Sequence, residues 1–250
     1  MLMRSDYADI FRDSAAVAKY HHVVYAPDTY ASAIDVRQRA YLRGLVHRAF
    51  PERRPVQHDF ACGTGRAIRM LHGVVRAAHG YDTSSAMLAT ASSTGVYAKL
   101  HEVAEAGPVP PAASMESPKL VTIFRLLLNT PPAVRDRAVA FAAKALPHAD
   151  SGLVVLENHG NRSSLRHLSR RRHPDHPWFS ELSHEEVEQL LRRHGFRIVE
   201  RRGFAICPPG AYRHRWLRSL ARRCDDLTAR TPALSGVATD VLYVARRVRR

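Results

Sequence analysis

"HDFACGTGRAIRM", residues 58–70, decides the fold. An acid, Asp59, is followed by two glycines one residue apart, Gly63 and Gly65, and then by an amphipathic segment. Glycine inside an element costs stability, so small residues clustered before a helix mean that something approaches the backbone closely. "PVQHDFA" upstream reads as a short strand and "GRAIRMLHGVV" as a helix. A strand, a glycine turn and a helix N-terminus form a cofactor platform, because the free N–H groups of the first helical turn face the ligand. The dinucleotide pattern G-x-G-x-x-G fails here, since Ile68 occupies its third position. The next acid at a strand end is Asp82, 17 residues after Gly65, in "GYDTSSAML". A carboxylate there can accept both hydroxyls of a ribose.

Working outward, strands and helices alternate. "RAAHGYD" is a second strand and "SSAMLATASST" a serine-capped helix. "GVYAKLHEV" is a third strand, followed by the Pro-rich "AGPVPPAASMESP". "KLVTIFRLLL" and "SGLVVLENHG" carry the continuous apolar character of buried strands. Pro131 and Pro132 open the helix "AVRDRAVAFAAKAL". Ser183 and Glu186 form a capping box on "SHEEVEQLLRRHGF", with Gly195 near its end. "RIVERRGF" and "TDVLYVARRV" close the set. The expected fold is α/β, with helices on both faces of a largely parallel sheet. Residues 1–50 are expected to form an N-terminal helical lid and 51–250 the main domain, effectively one unit. The polar, basic insert 161–182 is expected to cover the site.

The chain has 250 residues, 38 Lys plus Arg against 23 Asp plus Glu, and a formal charge of +15. Only Lys19, Lys99, Lys119 and Lys144 are lysines, and the arginines come in short scattered groups. A generally basic surface explains this; an anionic partner is the sharper reading. No tract with interleaved aromatics marks a nucleic-acid site. Cys62, Cys207 and Cys224 form no CxxC pair, so neither a disulfide framework nor a metal site is expected. No apolar run is long enough to span a bilayer, and the first residues lack a signal-peptide core. The expectation is a cytoplasmic protein without a membrane partner.

"DFACGTG" and "GYDTSSAML", in this order and spacing, resemble the first two motifs of the class I S-adenosylmethionine-dependent methyltransferases. "FRLLLN" at 124–129 and "HEEVEQLLRRHGFRIVERRGF" are similar to later parts of that family. The resemblance covers roughly residues 50 to 205, with Ala61 where the motif has its first glycine. It implies a Rossmann-like, mostly parallel seven-stranded sheet and S-adenosyl-L-methionine as cofactor. Asp59, Ala61, Gly63 and Gly65 would surround the methionine half, and Asp82 would take the ribose. Met87 would lie against the adenine, with Glu102 or Glu105 as the acid for its amine. Phe124 and Arg125 would face the sulfonium.

Methyl transfer from a sulfonium needs alignment, exclusion of water and, for a weakly acidic acceptor, a base. His159, after the fifth strand, is the candidate base, with Glu157, Asn158 and Asn161 in the same region. Tyr20, His21, His22, Tyr25, Asn129 and Tyr212 complete the candidate acceptor residues. The leading expectation is a small-molecule methyltransferase, possible in secondary metabolism, with no specific nucleic acid. The alternatives are an RNA or protein methyltransferase and a non-catalytic S-adenosylmethionine-binding protein.

Overall fold

A computed structural model describes residues 29–112, 118–170 and 180–248. Helix α1 (Tyr30–Ala49) leads into β1 (Val56–Phe60), α2 (Arg66–Leu71), β2 (Ala77–Asp82), α3 (Ser85–Ser93) and β3 (Lys99–Glu102). Then follow β4 (Lys119–Ile123), α4 (Pro132–Ala145), β5 (Gly152–Asn158) and α5 (Leu165–Arg170). The remaining elements are α6 (His184–Arg193), β6 (Phe196–Gly203), α7 (Arg215–Arg230) and β7 (Val241–Arg247). The seven strands form one sheet in the order β3-β2-β1-β4-β5-β7-β6. The first five are mutually parallel, and β7 runs antiparallel to both β5 and β6. This is the mostly parallel seven-stranded sheet that the sequence leads one to expect.

The period-2 alternation of the central strands sorts their side chains onto two faces. Val121, Ile123, Val154, Leu156 and Tyr243 pack with Phe141 of α4 and Val187 and Leu191 of α6. Leu120, Leu153, Val155, Leu242 and Val244 pack with Leu42 and Leu45 of α1 and Met70 and Leu71 of α2. Both faces are therefore covered, as a parallel sheet requires. The caps hold where they are local. Ser84 accepts from the Met87 N–H at 3.2 Å, and Ser183 and Glu186 close a reciprocal capping box. Gly195, at φ +75°, ends α6.

Two stretches depart from the sequence reading. The run "KLVTIFRLLL" does not continue as a strand, because Arg125 takes a left-handed φ of +58° and turns the chain into a short 3-10 helix at Leu127–Asn129. The insert is stapled at its base. Leu182 N–H donates to Gly160 O and Arg162 N–H to Leu182 O, each at 3.1 Å, and an Asn161–Leu182 bridge adds to them. Residues 171–179 of the insert and 1–28 of the expected lid lie outside the described residues.

Candidate cofactor site

From β1 the chain steps outward to β3 and then crosses back to β4, so the carboxyl ends of β1 and β4 diverge. Ligands bind α/β sheets in that crevice. A cavity of about 470 Å³ opens there, a volume suited to a small molecule. Its walls are the β1–α2 loop, the end of β2 with Met87, the segment after β3, Phe124–Leu126, and the start of α4.

The glycines serve different ends. Gly65, at φ +82°, lies outside the lining, and a Cβ there would stand 2.7 Å from Val96 Cγ2. It is a packing glycine at the start of α2. Gly63, at φ +53°, lines the cavity, and a Cβ would meet only Met87 Sδ at 3.9 Å. Its N–H donates to Asp82 Oδ2 at 2.7 Å, while the Ser84 N–H donates to Oδ1 at 2.9 Å. Asp82 is thus fixed at the cavity wall by main-chain donors, to which the Thr83 N–H adds, and its oxygens are acceptors that a diol can use. Burial raises its pKa, against those same N–H groups. Ala61 lines the cavity at φ +57°, a left-handed conformation that costs a residue bearing a Cβ about 1–2 kcal/mol.

Asp59 also lines the cavity and is 1% exposed. Thr122 Oγ1 donates to its Oδ1 at 2.6 Å and itself accepts from Gln57 Nε2 at 3.1 Å. Burial, reinforced by the charges of Asp82 and Glu157, pushes the Asp59 carboxyl up to about 7. A cation placed beside it would draw it back into the ionised form.

A buried polar network supports the β4 side. The Arg125 N–H donates to Glu157 Oε2 at 2.7 Å, and Glu157 Oε1 accepts from Gln38 Nε2 at 2.9 Å and Arg66 Nη1 at 3.2 Å. Arg66, a cavity residue lying over Phe124, also donates to Asp35 Oδ1 at 2.8 Å and to Gln38 Oε1. Gln38 Nε2 reaches Asp240 Oδ1 at 2.8 Å. Burial alone would raise the Glu157 carboxyl, but Arg66 and Arg125 hold it ionised below its ordinary value. Burial and the Glu157 charge raise Asp240 well above the carboxylate range. Sequence reasoning missed Arg66, Gln38 and Asp240. The one available signal was an arginine at the first helical position after the glycine loop.

Of the expected cofactor residues, Asp59, Ala61, Gly63, Asp82, Met87, Glu105, Phe124 and Arg125 all line the cavity. Glu102 does not; it is exposed at the end of β3, in register with Asp82. The expected acceptor residues near β5 lie elsewhere. Asn158 Nδ2 donates to Leu182 O at 3.0 Å, and its Oδ1 accepts from the Gly160 N–H. Asn161 donates to the carbonyls of Ala238 (2.8 Å) and Gly236 (3.1 Å). Both asparagines are structural staples of the insert. Tyr212 is buried and donates to Asp225 Oδ2 at 2.6 Å, fastening α7. His159 is 6% exposed and outside the cavity lining; burial, then Arg125, pushes its pKa well below the usual imidazole value. It is therefore neutral at pH 7. Asn129 sits in the short helix after β4. Tyr20, His21, His22 and Tyr25 lie outside the described residues. No group of metal-ligating side chains occurs among the described residues.

No protein-family model matches the chain, and no curated protein matches it. Solved structures do. A putative methyltransferase of Haloferax volcanii, seen with the Trm112 activator, matches with a TM-score of 0.59 at 15% identity, over 98% of this chain and 99% of that one. Magnesium protoporphyrin IX methyltransferase of Synechocystis PCC 6803, with S-adenosylhomocysteine (SAH) bound, gives 0.59 at 12% identity, over 96% and 97%. A Thermotoga maritima protein described as a possible histamine N-methyltransferase gives 0.58 at 15%, over 96% and 99%. With its sheet order and its glycine loop joined to Asp82, this chain has the class I S-adenosylmethionine-dependent methyltransferase fold.

Proposed function

We propose that the protein is an S-adenosylmethionine-dependent methyltransferase acting on a small-molecule acceptor. The observation that carries this reading is Asp82, held at the crevice by the Gly63 and Ser84 N–H groups with oxygens left to receive a ribose diol. The residues present fit the cofactor. Asp59, Ala61 and Gly63 would surround its methionine half, Met87 and Glu105 its adenine side, and Phe124 and Arg125 its sulfonium side. When bound, the cofactor supplies an activated methyl group. The chain's own work is to hold the carboxylates in place, keep water out with Phe60, Phe124 and Leu126, and leave an approach along Thr130, Pro131 and Val134. Asp59 is the group whose proton moves: a cationic ligand beside it favours release of that proton. His159 serves as base only for an acceptor that reaches it, and His159→Gln tests that role through turnover.

Support for a small acceptor is the cavity's volume of about 470 Å³; the basic charge alone favours RNA. No helix among the described residues is long and apolar enough to cross a membrane. The test is calorimetry with S-adenosylmethionine, SAH and NAD, followed by transfer of a labelled methyl group into cell extract. Binding of the first two without NAD, and label in small molecules, is the expected result. Label in RNA would replace the acceptor class, and binding without any transfer would make this a cofactor-binding protein. Asp82→Ala is expected to weaken binding by about 1.5–3 kcal/mol; unchanged affinity in a folded variant removes Asp82 from the site.

A further inference from the structure

Arg137, on α4, stands one turn beyond Val134 on the wall that also includes Thr130 and Pro131. Its guanidinium turns across the cavity mouth to the segment after β3. Nε donates to Gly107 O and Nη1 to Glu105 O, both at 2.7 Å, and Nη2 donates to Ala104 O. The same group lies 5.9 Å from the centre of the Phe60 ring. Three main-chain carbonyls from four consecutive residues thus converge on one planar fork. Residues 104–108 are otherwise exposed. The Val103 N–H joins the Asp82 carbonyl, Val109 packs into the core, and the Ala112 N–H donates to the Tyr81 hydroxyl. Val103, Glu105 and Ala106 form the cavity wall next to Asp82 and Met87.

We propose that Arg137 is a positioning residue: it clasps residues 104–107 and so builds the wall that receives the base of the bound nucleoside. A guanidinium suits this task because it offers donors in one rigid plane and stays charged at any working pH. An ammonium is a point donor and cannot hold three carbonyls in that arrangement. The clasp also ties the start of α4 to the segment after β3, so the two opposite walls of the cavity are held by one side chain. The nucleoside assignment rests on the cofactor reading above; the clasp itself does not.

The test uses Arg137→Ala and Arg137→Lys in the full chain. Hydrogen exchange at the Val103 and Ala112 N–H groups, the hydrogen-bonded amides that flank the clasped carbonyls, reads the clasp with no ligand present and is expected to accelerate about tenfold or more in both variants. Affinity for adenosine and for SAH, by calorimetry, reads the wall. Both are expected to fall about tenfold in Arg137→Ala, with methionine affinity unchanged. Added guanidinium at millimolar concentration is expected to restore most of the loss in Arg137→Ala and none of it in Arg137→Lys. Unchanged exchange overturns the clasp. Accelerated exchange with adenosine and SAH affinity within twofold of the parent, or a loss that guanidinium fails to restore, overturns the positioning role. If the parent binds neither adenosine nor SAH, the cofactor reading fails, the nucleoside wall falls with it, and the exchange result still decides the clasp.

Discussion

The carboxyl ends of β2 and β5 carry similar residues and do opposite things. At the end of β2, Asp82 is held by main-chain N–H groups alone and faces a cavity. At the end of β5, Glu157, Asn158 and Asn161 are fully buried and engaged in the protein's own bonds. A main-chain donor fixes a carboxylate without covering it, whereas side-chain partners from other elements close over the group. Polar residues beyond a buried strand therefore mark a site only when little else in the chain reaches them.

The sharpest way to break this contrast is to empty the β5 side. Glu157→Ala leaves the Arg66 and Arg125 donors short of a buried partner, and is expected to destabilise the protein by about 3–5 kcal/mol in urea unfolding. A loss below about 1 kcal/mol would show that water replaces the carboxylate. Next, Asn161→Ala removes two buried bonds to carbonyls; it is expected to cost about 1–3 kcal/mol of stability while calorimetric affinity for SAH stays unchanged. Lost affinity in a stable variant would move Asn161 back into the site.

The third prediction concerns two consecutive residues with opposite proton linkage. The folded-state pKa of Asp59 is raised to about 7, so its contribution is complete below the unfolded value near 4 and is lost as pH rises through about 7. His58 is lowered to about 4 by burial and its neighbours His79, Lys119 and His101; its contribution is complete above about 6.5 and is lost as pH falls through about 4. Asp59→Asn is expected to abolish the decline between pH 4 and 7, exposing the rise due to His58. The same substitution is expected to remove any gain in S-adenosylmethionine affinity as pH passes 7. A parallel pH–stability curve in Asp59→Asn would refute this linkage. The smallest effect expected is that of Ala61→Gly. It relieves the left-handed strain but frees the unfolded chain, for a net gain of about 0–1 kcal/mol by thermal unfolding. A clear loss would mean that the methyl group packs productively.

What could be read from the sequence was local. Asp82 and Ser84 stand two residues apart, and turn chemistry links them directly; the same holds for the capping box of Ser183 with Glu186, while Gly63 meets Asp82 across 19 positions through the neighbouring strands β1 and β2. The buried strands were legible as continuous apolar runs such as "GLVVLE", and both faces of the sheet are indeed covered. What escaped was long in sequence separation. Arg66 meets Glu157 across 91 positions and Gln38 meets Asp240 across 202, and nothing in either neighbourhood announces the partner. The turn at Arg125, a residue named for the site, escaped for another reason: a left-handed conformation at a residue with a side chain runs against its own propensity, and only the buried Glu157 acceptor makes it visible. Asn158 and Asn161 looked like site residues because amides bind ligands and carbonyls by the same geometry.

The position of β7 has a consequence for synthesis. This strand, residues 241–247, lies between β5 and β6, which precede it in the chain. As the ribosome delivers the protein, β5 and β6 have nothing to join them until the last of these strands emerges. The nascent chain therefore carries an open, apolar β5 edge through the translation of some 80 codons, counting from Asn158 to Val241. A ribosome stalled ahead of codon 241 would hold a five-stranded parallel half whose exposed edge invites chaperones.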